Sequence, residues 1–250
     1  MKIQTVFTPA LYPFVKHSDE FVCVVVDVLR ATTTMCTIID FGGEIIPVAS
    51  LDKAREYKAN GYLVAGERIE QTLDFADFGN SALNFRSDAI RNKTIVHTTT
   101  NGTQAIELAK QSNASQVVIG AFSNISALTD YLIAQKKDVE ILCSGWKNTF
   151  CLEDTLFAGA LATRLFSNPN NVVLNPDNND SVFYTHDDST FAAMDLWQKA
   201  KYNPLKYLEK ASHIHRLRKA HFDDVFEYTF TLDTCKSVPI LCGDKLIKAE

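Results

Sequence analysis

Four carboxylates stand at the ends of strand or helix patterns rather than on polar faces: Asp27, Glu67, Glu153 and Asp154. Oxygen ligands of this kind suit a hard divalent cation such as Mg2+, which is commonly held by one or two carboxylates together with water and substrate phosphate. Glu153 and Asp154 have an ordinary alternative, because acids in a first helical turn oppose the helix dipole favourably. Asp27 and Glu67 lack it. Each closes an apolar run, and a carboxylate at the end of a buried strand needs a partner. They are therefore the preferred metal ligands, with Glu153 and Asp154 as further candidates. Arg30 and Arg68 follow the first two acids closely in the chain. Each reads as a local ion pair or as a guanidinium fork that grips a phosphate or carboxylate.

Hydroxyl-rich turns lie beside these charges. Thr32 and Thr33 lead from Asp27 and Arg30 into a helical pattern. The run Thr98-Thr99-Thr100-Asn101-Gly102-Thr103 offers hydroxyls and backbone N–H groups at another helix start, and Gly102 permits close approach. Thr100, Asn101, Gly102 and Thr103 are thus candidate phosphate-binding residues, as are Thr32 and Thr33. The G-x-x-x-x-G-K-[ST] nucleotide loop is absent. From Ile69 to Phe85 periodicity is lost, and this polar stretch, containing Asn80 and Ser81, reads as a functional loop.

Ser144 and Gly145 close another strand and join the substrate-binding candidates. Cys143 before them raises a thiolate nucleophile, but the arginine that a cysteine-phosphatase loop requires six residues on is missing, and a small buried residue is preferred. His213 and His215 point to different helix faces and make a poor metal pair. His97 reads as a core histidine in preference to an acid or base.

The elements that must position these groups alternate between strand and helix, the signature of an α/β domain. Val22–Val26 is a continuous apolar, β-branched run of the kind buried on both faces in a parallel sheet. A helix is expected over 31–40, ended by Gly42-Gly43. A strand at 44–48 and a helix capped by Ser50 and closed by Gly61 follow. Further strands are expected at 62–65, 93–97, 116–120 and 139–143, and helices at 104–110, after a Ser123 cap, and over 152–165. Asn168 to Asp180 reads as a surface connection, then helices at 188–201 and 204–220, and a hairpin around Gly243-Asp244. Strand, Thr-rich turn, helix, strand and Ser-capped helix recur, a faint duplication that would divide one unit into sub-domains of about 1–92 and 93–167 plus a helical and hairpin extension.

A net charge of -5 over 250 residues argues against broad binding to nucleic acid or anionic membrane, though not against a local basic pocket. No apolar run approaches the roughly 20 residues of a membrane span. The N-terminus resembles a first strand rather than a signal peptide. Six scattered cysteines without C-x-x-C suit reduced thiols in a cytoplasmic protein. A homodimer is only the common default.

Five segments in register resemble the ComB family of 2-phosphosulfolactate phosphatases: Val25 to Thr33, Ala65-Gly66-Glu67-Arg68, Phe78-Gly79-Asn80-Ser81, Thr98 to Thr103, and Leu152-Glu153-Asp154 with Ala158-Gly159. The likeness covers nearly the whole chain. It implies a three-layer α/β/α fold with a mostly parallel or mixed sheet. It also implies a Mg2+-dependent phosphatase of 2-hydroxy-acid phosphate esters, in the family's best-known role giving 3-sulfolactate on the way to coenzyme M. On that reading Asp27 and Glu67 hold Mg2+, Arg30 and Arg68 stabilise the phosphoryl group, and the partner is a small anionic ester. Direct attack by water and a covalent phosphoenzyme both remain open. The rival from another class is a non-catalytic binding protein for a phosphorylated or sulfonated metabolite, with the same pocket and no turnover.

Overall fold

The structure is a computed structural model that describes residues 1–68, 71–167 and 183–250. The expected connection at Asn168 to Asp180 lies outside them, as do positions 69 and 70 of the polar stretch. The strands are β1 (Ile3–Val6), β2 (Phe21–Val26), β3 (Glu44–Pro47), β4 (Leu63–Arg68), β5 (Gln71–Thr72), β6 (Thr94–Thr98), β7 (Gln116–Gly120), β8 (Asp138–Cys143), β9 (Pro239–Cys242) and β10 (Lys245–Lys248). The helices are α1 (Ala31–Asp40), α2 (Leu51–Ala59), α3 (Gly102–Gln111), α4 (Ile125–Gln135), α5 (Leu152–Phe166), α6 (Asp188–Ala200), α7 (Pro204–Leu208), α8 (Ser212–Lys219) and α9 (Phe226–Phe230).

Among the described residues the strands form one mixed sheet in the order β1-β8-β2-β7-β9-β10-β3-β6-β4-β5. It contains two parallel blocks. β1, β8, β2 and β7 make the first, and β3, β6 and β4 the second. The C-terminal hairpin β9–β10 is inserted between them through antiparallel junctions to β7 and β3. Each block takes strands from both 1–92 and 93–167, so the two sequence halves do not correspond to the two halves of the sheet.

β2 shows why the fold is layered. All six of its residues are buried, and alternate side chains of a strand face opposite sides. Val22, Val24 and Val26 pack with residues of α4, α5 and the C-terminal helices. Cys23 and Val25 pack with Met35, Ile38 and Ile39 of α1 and Ala105 and Ile106 of α3. Helices therefore cover both faces, giving three α/β/α layers. The cluster around α1 and α3 also contains Leu246, Ile45, Ile95 and Ala65, from β10, β3, β6 and β4. Residues of both blocks thus share one apolar cluster with these two helices.

Two local expectations are corrected. Ser123 does not cap α4: it sits inside the 3-10 turn Phe122–Asn124, and Asn124 occupies the cap position. The single helix expected over 204–220 is broken into α7 and α8. The Ala211 N–H bonds the Leu208 carbonyl and Ala211 itself is extended (ψ 133°), which starts a new helix with its own direction. No helix among the described residues is long and apolar enough to cross a membrane. All six cysteines are free.

Candidate active site

Asp27 follows β2 directly, and its backbone is tied into the turn that launches α1. Its N–H donates to Thr32 Oγ1 at 3.1 Å, and its carbonyl accepts from the Thr32 N–H at 2.9 Å. Thr33 Oγ1 donates to the Val28 carbonyl at 2.8 Å. The hydroxyls of Thr32 and Thr33 thus shape this turn rather than facing a ligand. Arg30 is the N-cap residue of α1; it is buried, with its guanidinium stacked 4.2 Å from the Phe222 ring centroid.

Glu67, near the end of β4, reaches across to the turn after β6. Its Oε1 accepts from the Thr100 N–H at 2.9 Å and its Oε2 from Thr100 Oγ1 at 3.3 Å. Neighbouring strand residues point to opposite faces, and Arg68 accordingly leaves this surface. Its guanidinium donates to the carbonyls of Glu67 and Ala49 and to Thr98 Oγ1, at 2.7 to 3.0 Å. Thr103 exchanges hydrogen bonds with Thr99 and so stitches the turn that starts α3. Gly102 is there because α3 begins flush against Asp27: a Cβ would lie 2.9 Å from Asp27 Oδ2 and 2.7 Å from Ala31 Cβ.

Asp27, Arg30, Glu67, Asn80 and Asn101 line one narrow cleft with Leu29, Trp146, His213 and Leu217. Of the other expected residues, Thr100 and Ser144 line a neighbouring cavity that shares Asn101. Ser81 instead opens the 3-10 turn Ala82–Phe85. Asn80 is oriented from behind by His97, whose Nε2 donates to Asn80 Oδ1 at 3.1 Å. His97 is fully buried, and burial, followed by the charges of Arg68 and Arg30, lowers its pKa to about 3. It is a neutral support, not an acid.

The later acid pair divides. Asp154 is a structural clamp, its Oδ1 accepting from the Val28 N–H at 2.9 Å and its Oδ2 from the Gly145 N–H at 3.0 Å. It joins the turns that follow β2 and β8. Gly145 can occupy that tight turn because its φ is +59° and a Cβ would lie 2.2 Å from the Thr149 carbonyl oxygen. Burial, then the charges of Glu153 and Asp27, push the Asp154 pKa well above the usual carboxylate range. Glu153 faces His213 instead, with Oε1 2.5 Å from Nδ1. Burial pushes the Glu153 pKa up, but the hydrogen bond and charge of His213 outweigh it and the net shift is downward.

Asp27, itself buried, shares in this crowding. Burial raises its pKa to about 6; His213 opposes the rise, and Glu67 and Glu153 add to it. A desolvated carboxylate facing other carboxylates is the environment a hard cation relieves, and the oxygen donors of Asp27 and Glu67 fit Mg2+. The cluster Cys151, Glu153 and His213, all buried and with one ligand atom of each within 4.8 Å of the others, is a sulfur, oxygen and nitrogen set. Such donors suit a borderline ion such as Zn2+ better than Mg2+. Cys143 is buried and its thiol pKa is raised well above normal, first by burial and then by Asp154 and Glu153, which disfavours a thiolate.

His213, weighed in the sequence only as half of a poor metal pair, and Trp146, which no pattern singled out, both belong to the cleft. The signal available for His213 was its place four residues before Leu217 on one helix face, and both line the cleft. Trp146 had no pattern; it arrives on the tight turn 145–149, with its ring 5.6 Å from that of His213.

A family model described as 2-phosphosulpholactate phosphatase matches residues 6–244. The chain belongs to this family. A probable 2-phosphosulfolactate phosphatase of Thermotoga maritima is 35% identical over 228 residues, covering 91% of this chain and 92% of the relative. One from Parasynechococcus marenigrum is 35% identical over 246 residues, with 96% of each covered. A Prochlorococcus marinus relative is 37% identical over 225 residues, covering 86% and 87%. The family match takes in every residue that lines the cleft, from Asp27 to Leu217.

Proposed function

We propose that this protein is a Mg2+-dependent phosphatase that hydrolyses the phosphate monoester of a 2-hydroxy acid, with 2-phosphosulfolactate as substrate and 3-sulfolactate and phosphate as products. The observation that carries this reading is the convergence of Asp27, Glu67 and Arg30 on one cleft from separate stretches of chain. The names of the relatives support the choice of ester.

Asp27 and Glu67 would hold Mg2+, which when bound draws charge from the phosphate oxygens. Arg30, fixed by its stack on Phe222, is placed to pair with phosphoryl oxygens whose charge must be stabilised during transfer. Asn101, at the cap of α3, adds a polar group where the helix dipole favours an anion. Glu67, steadied by Thr100, is the carboxylate positioned to take a proton from attacking water. With Nδ1 of His213 engaged by Glu153, Nε2 is the ring nitrogen left to meet a ligand.

The test is phosphate release from 2-phosphosulfolactate with Mg2+, against an EDTA control. Wild type is expected to turn over only with the metal. Asp27→Asn should abolish that turnover while leaving the circular dichroism spectrum unchanged, and Arg30→Lys should lower kcat/KM by about tenfold or more through loss of the planar fork. Binding of the ester without any phosphate release would favour the non-catalytic reading, and full activity of Asp27→Asn would remove that residue from the reaction.

A further inference from the structure

Beside the reaction cleft lies a second cavity of about 250 Å³, lined among others by Thr100, Gln104, Ser144 and Lys147. Asn101 lines both, so the two spaces adjoin at this residue. Their chemistry differs sharply. The cleft contains two carboxylates and an arginine, whereas among the described residues no carboxylate lines the second cavity and the charged side chain there is Lys147.

Two features make this a built site rather than a surface dent. Ser144 is 1% exposed, and its hydroxyl has no hydrogen-bond partner among the described residues. Buried polar atoms are nearly always paired, so this hydroxyl is a donor awaiting an acceptor. Lys147 is positioned from two sides. Its backbone N–H donates to Asn101 Oδ1 at 3.1 Å, and its ammonium lies 5.5 Å from the Trp146 ring centroid. The same bond orients the Asn101 amide, with its oxygen engaged and its NH2 group left as a donor.

An ammonium, a hydroxyl and side-chain amides around a space without acids form a receptor for an oxyanion. They are separate donors at different angles, with no arginine fork among them. A planar carboxylate is best matched by such a fork. A tetrahedral group with three equivalent oxygens is better matched by scattered single donors.

We propose that this cavity is the subsite for a sulfonate on the substrate, and that Lys147, assisted by Ser144, is a specificity-determining residue. The proposal rests on the phosphatase reading above and assigns the non-reacting end of the same ester. Asp27 and Glu67 repel a second anion from the reaction cleft, whereas Lys147 attracts it into the neighbouring space.

The experiment compares 2-phosphosulfolactate with 2-phospholactate, which carries the same ester and carboxylate but no sulfonate. The readout is the ratio of their kcat/KM values in wild type, Lys147→Ala, Lys147→Arg and Ser144→Ala. In Lys147→Ala the ratio should fall by about tenfold to a hundredfold, the scale of one charge-assisted hydrogen bond. The loss should appear in KM rather than kcat, Lys147→Arg should recover part of it, and Ser144→Ala should show a smaller fall. A ratio unchanged in Lys147→Ala, whether both esters weaken together or neither does, overturns the proposal. If wild type hydrolyses neither ester, the phosphatase reading fails and the subsite is judged by calorimetry with 3-sulfolactate. Binding that weakens in Lys147→Ala then upholds the anion site, and absence of binding to wild type overturns it.

Discussion

His97 offers a test of the site's support that needs no substrate. Its pKa is lowered from 6.5 to about 3, mainly by burial and further by the charges of Arg68 and Arg30. Between those values the unfolded chain binds a proton that the folded protein refuses, so stability falls as pH falls. The contribution is fully present above pH 6.5 and is lost progressively towards pH 3. At pH 5 the result scarcely depends on the folded value, because about 3 is already far below. The loss is set by the distance from 6.5 to 5, roughly 1.5 units at about 1.36 kcal/mol each, or about 2 kcal/mol. His97→Gln keeps a donor for Asn80 Oδ1 but cannot take up a proton in this range. The assay is urea unfolding of both proteins at pH 7 and pH 5, where groups common to both cancel. Wild type should lose about 2 kcal/mol more than the variant over this interval. Equal losses would refute the reasoning, since His97 would then titrate alike in the folded and unfolded protein.

Other consequences are equally direct. Gly102→Ala places a methyl 2.9 Å from Asp27 Oδ2 and 2.7 Å from Ala31 Cβ. It should cost about 1–3 kcal/mol in denaturant unfolding and, by moving Asp27, lower kcat/KM for the phosphate ester; unaltered stability would mean that α3 shifts freely. His213→Ala leaves Glu153 buried without its partner and should destabilise the protein by about 3–5 kcal/mol at neutral pH. A loss below about 1 kcal/mol would show that the pair is not coupled. Cys143→Ala should retain phosphate release near the wild-type rate, because the buried thiol resists ionisation. Loss of turnover in a folded variant would place its sulfur in the reaction.

Much of the architecture was legible because local rules decide it. The run Phe21–Val26 has no polar residue and could only be a strand covered on both sides. Ser50 and Gly61 bound α2 as a cap and a left-handed stop, with Ser50 Oγ accepting from the Lys53 N–H and Gly61 at φ +82°. The hairpin around Gly243-Asp244 forms where the turn residues place it. Asp27, Arg30, Glu67, Asn80 and Asn101 were nameable for a similar reason. They interrupt apolar or helical patterns at the points where elements end.

What the pattern could not supply is which ends meet. The hairpin wedges between two parallel blocks whose residues share one apolar cluster with α1 and α3. Asp27 and Glu67 share a cleft although five strands lie between β2 and β4 in the hydrogen-bonded order. The break between α7 and α8 aims His213 at Glu153 across 60 residues of sequence. Arg68 turns to backbone carbonyls while Glu67 turns to Thr100. Composition and spacing select the elements through short-range geometry. Partners far apart in the chain are chosen by the packing of apolar faces, which no local window contains.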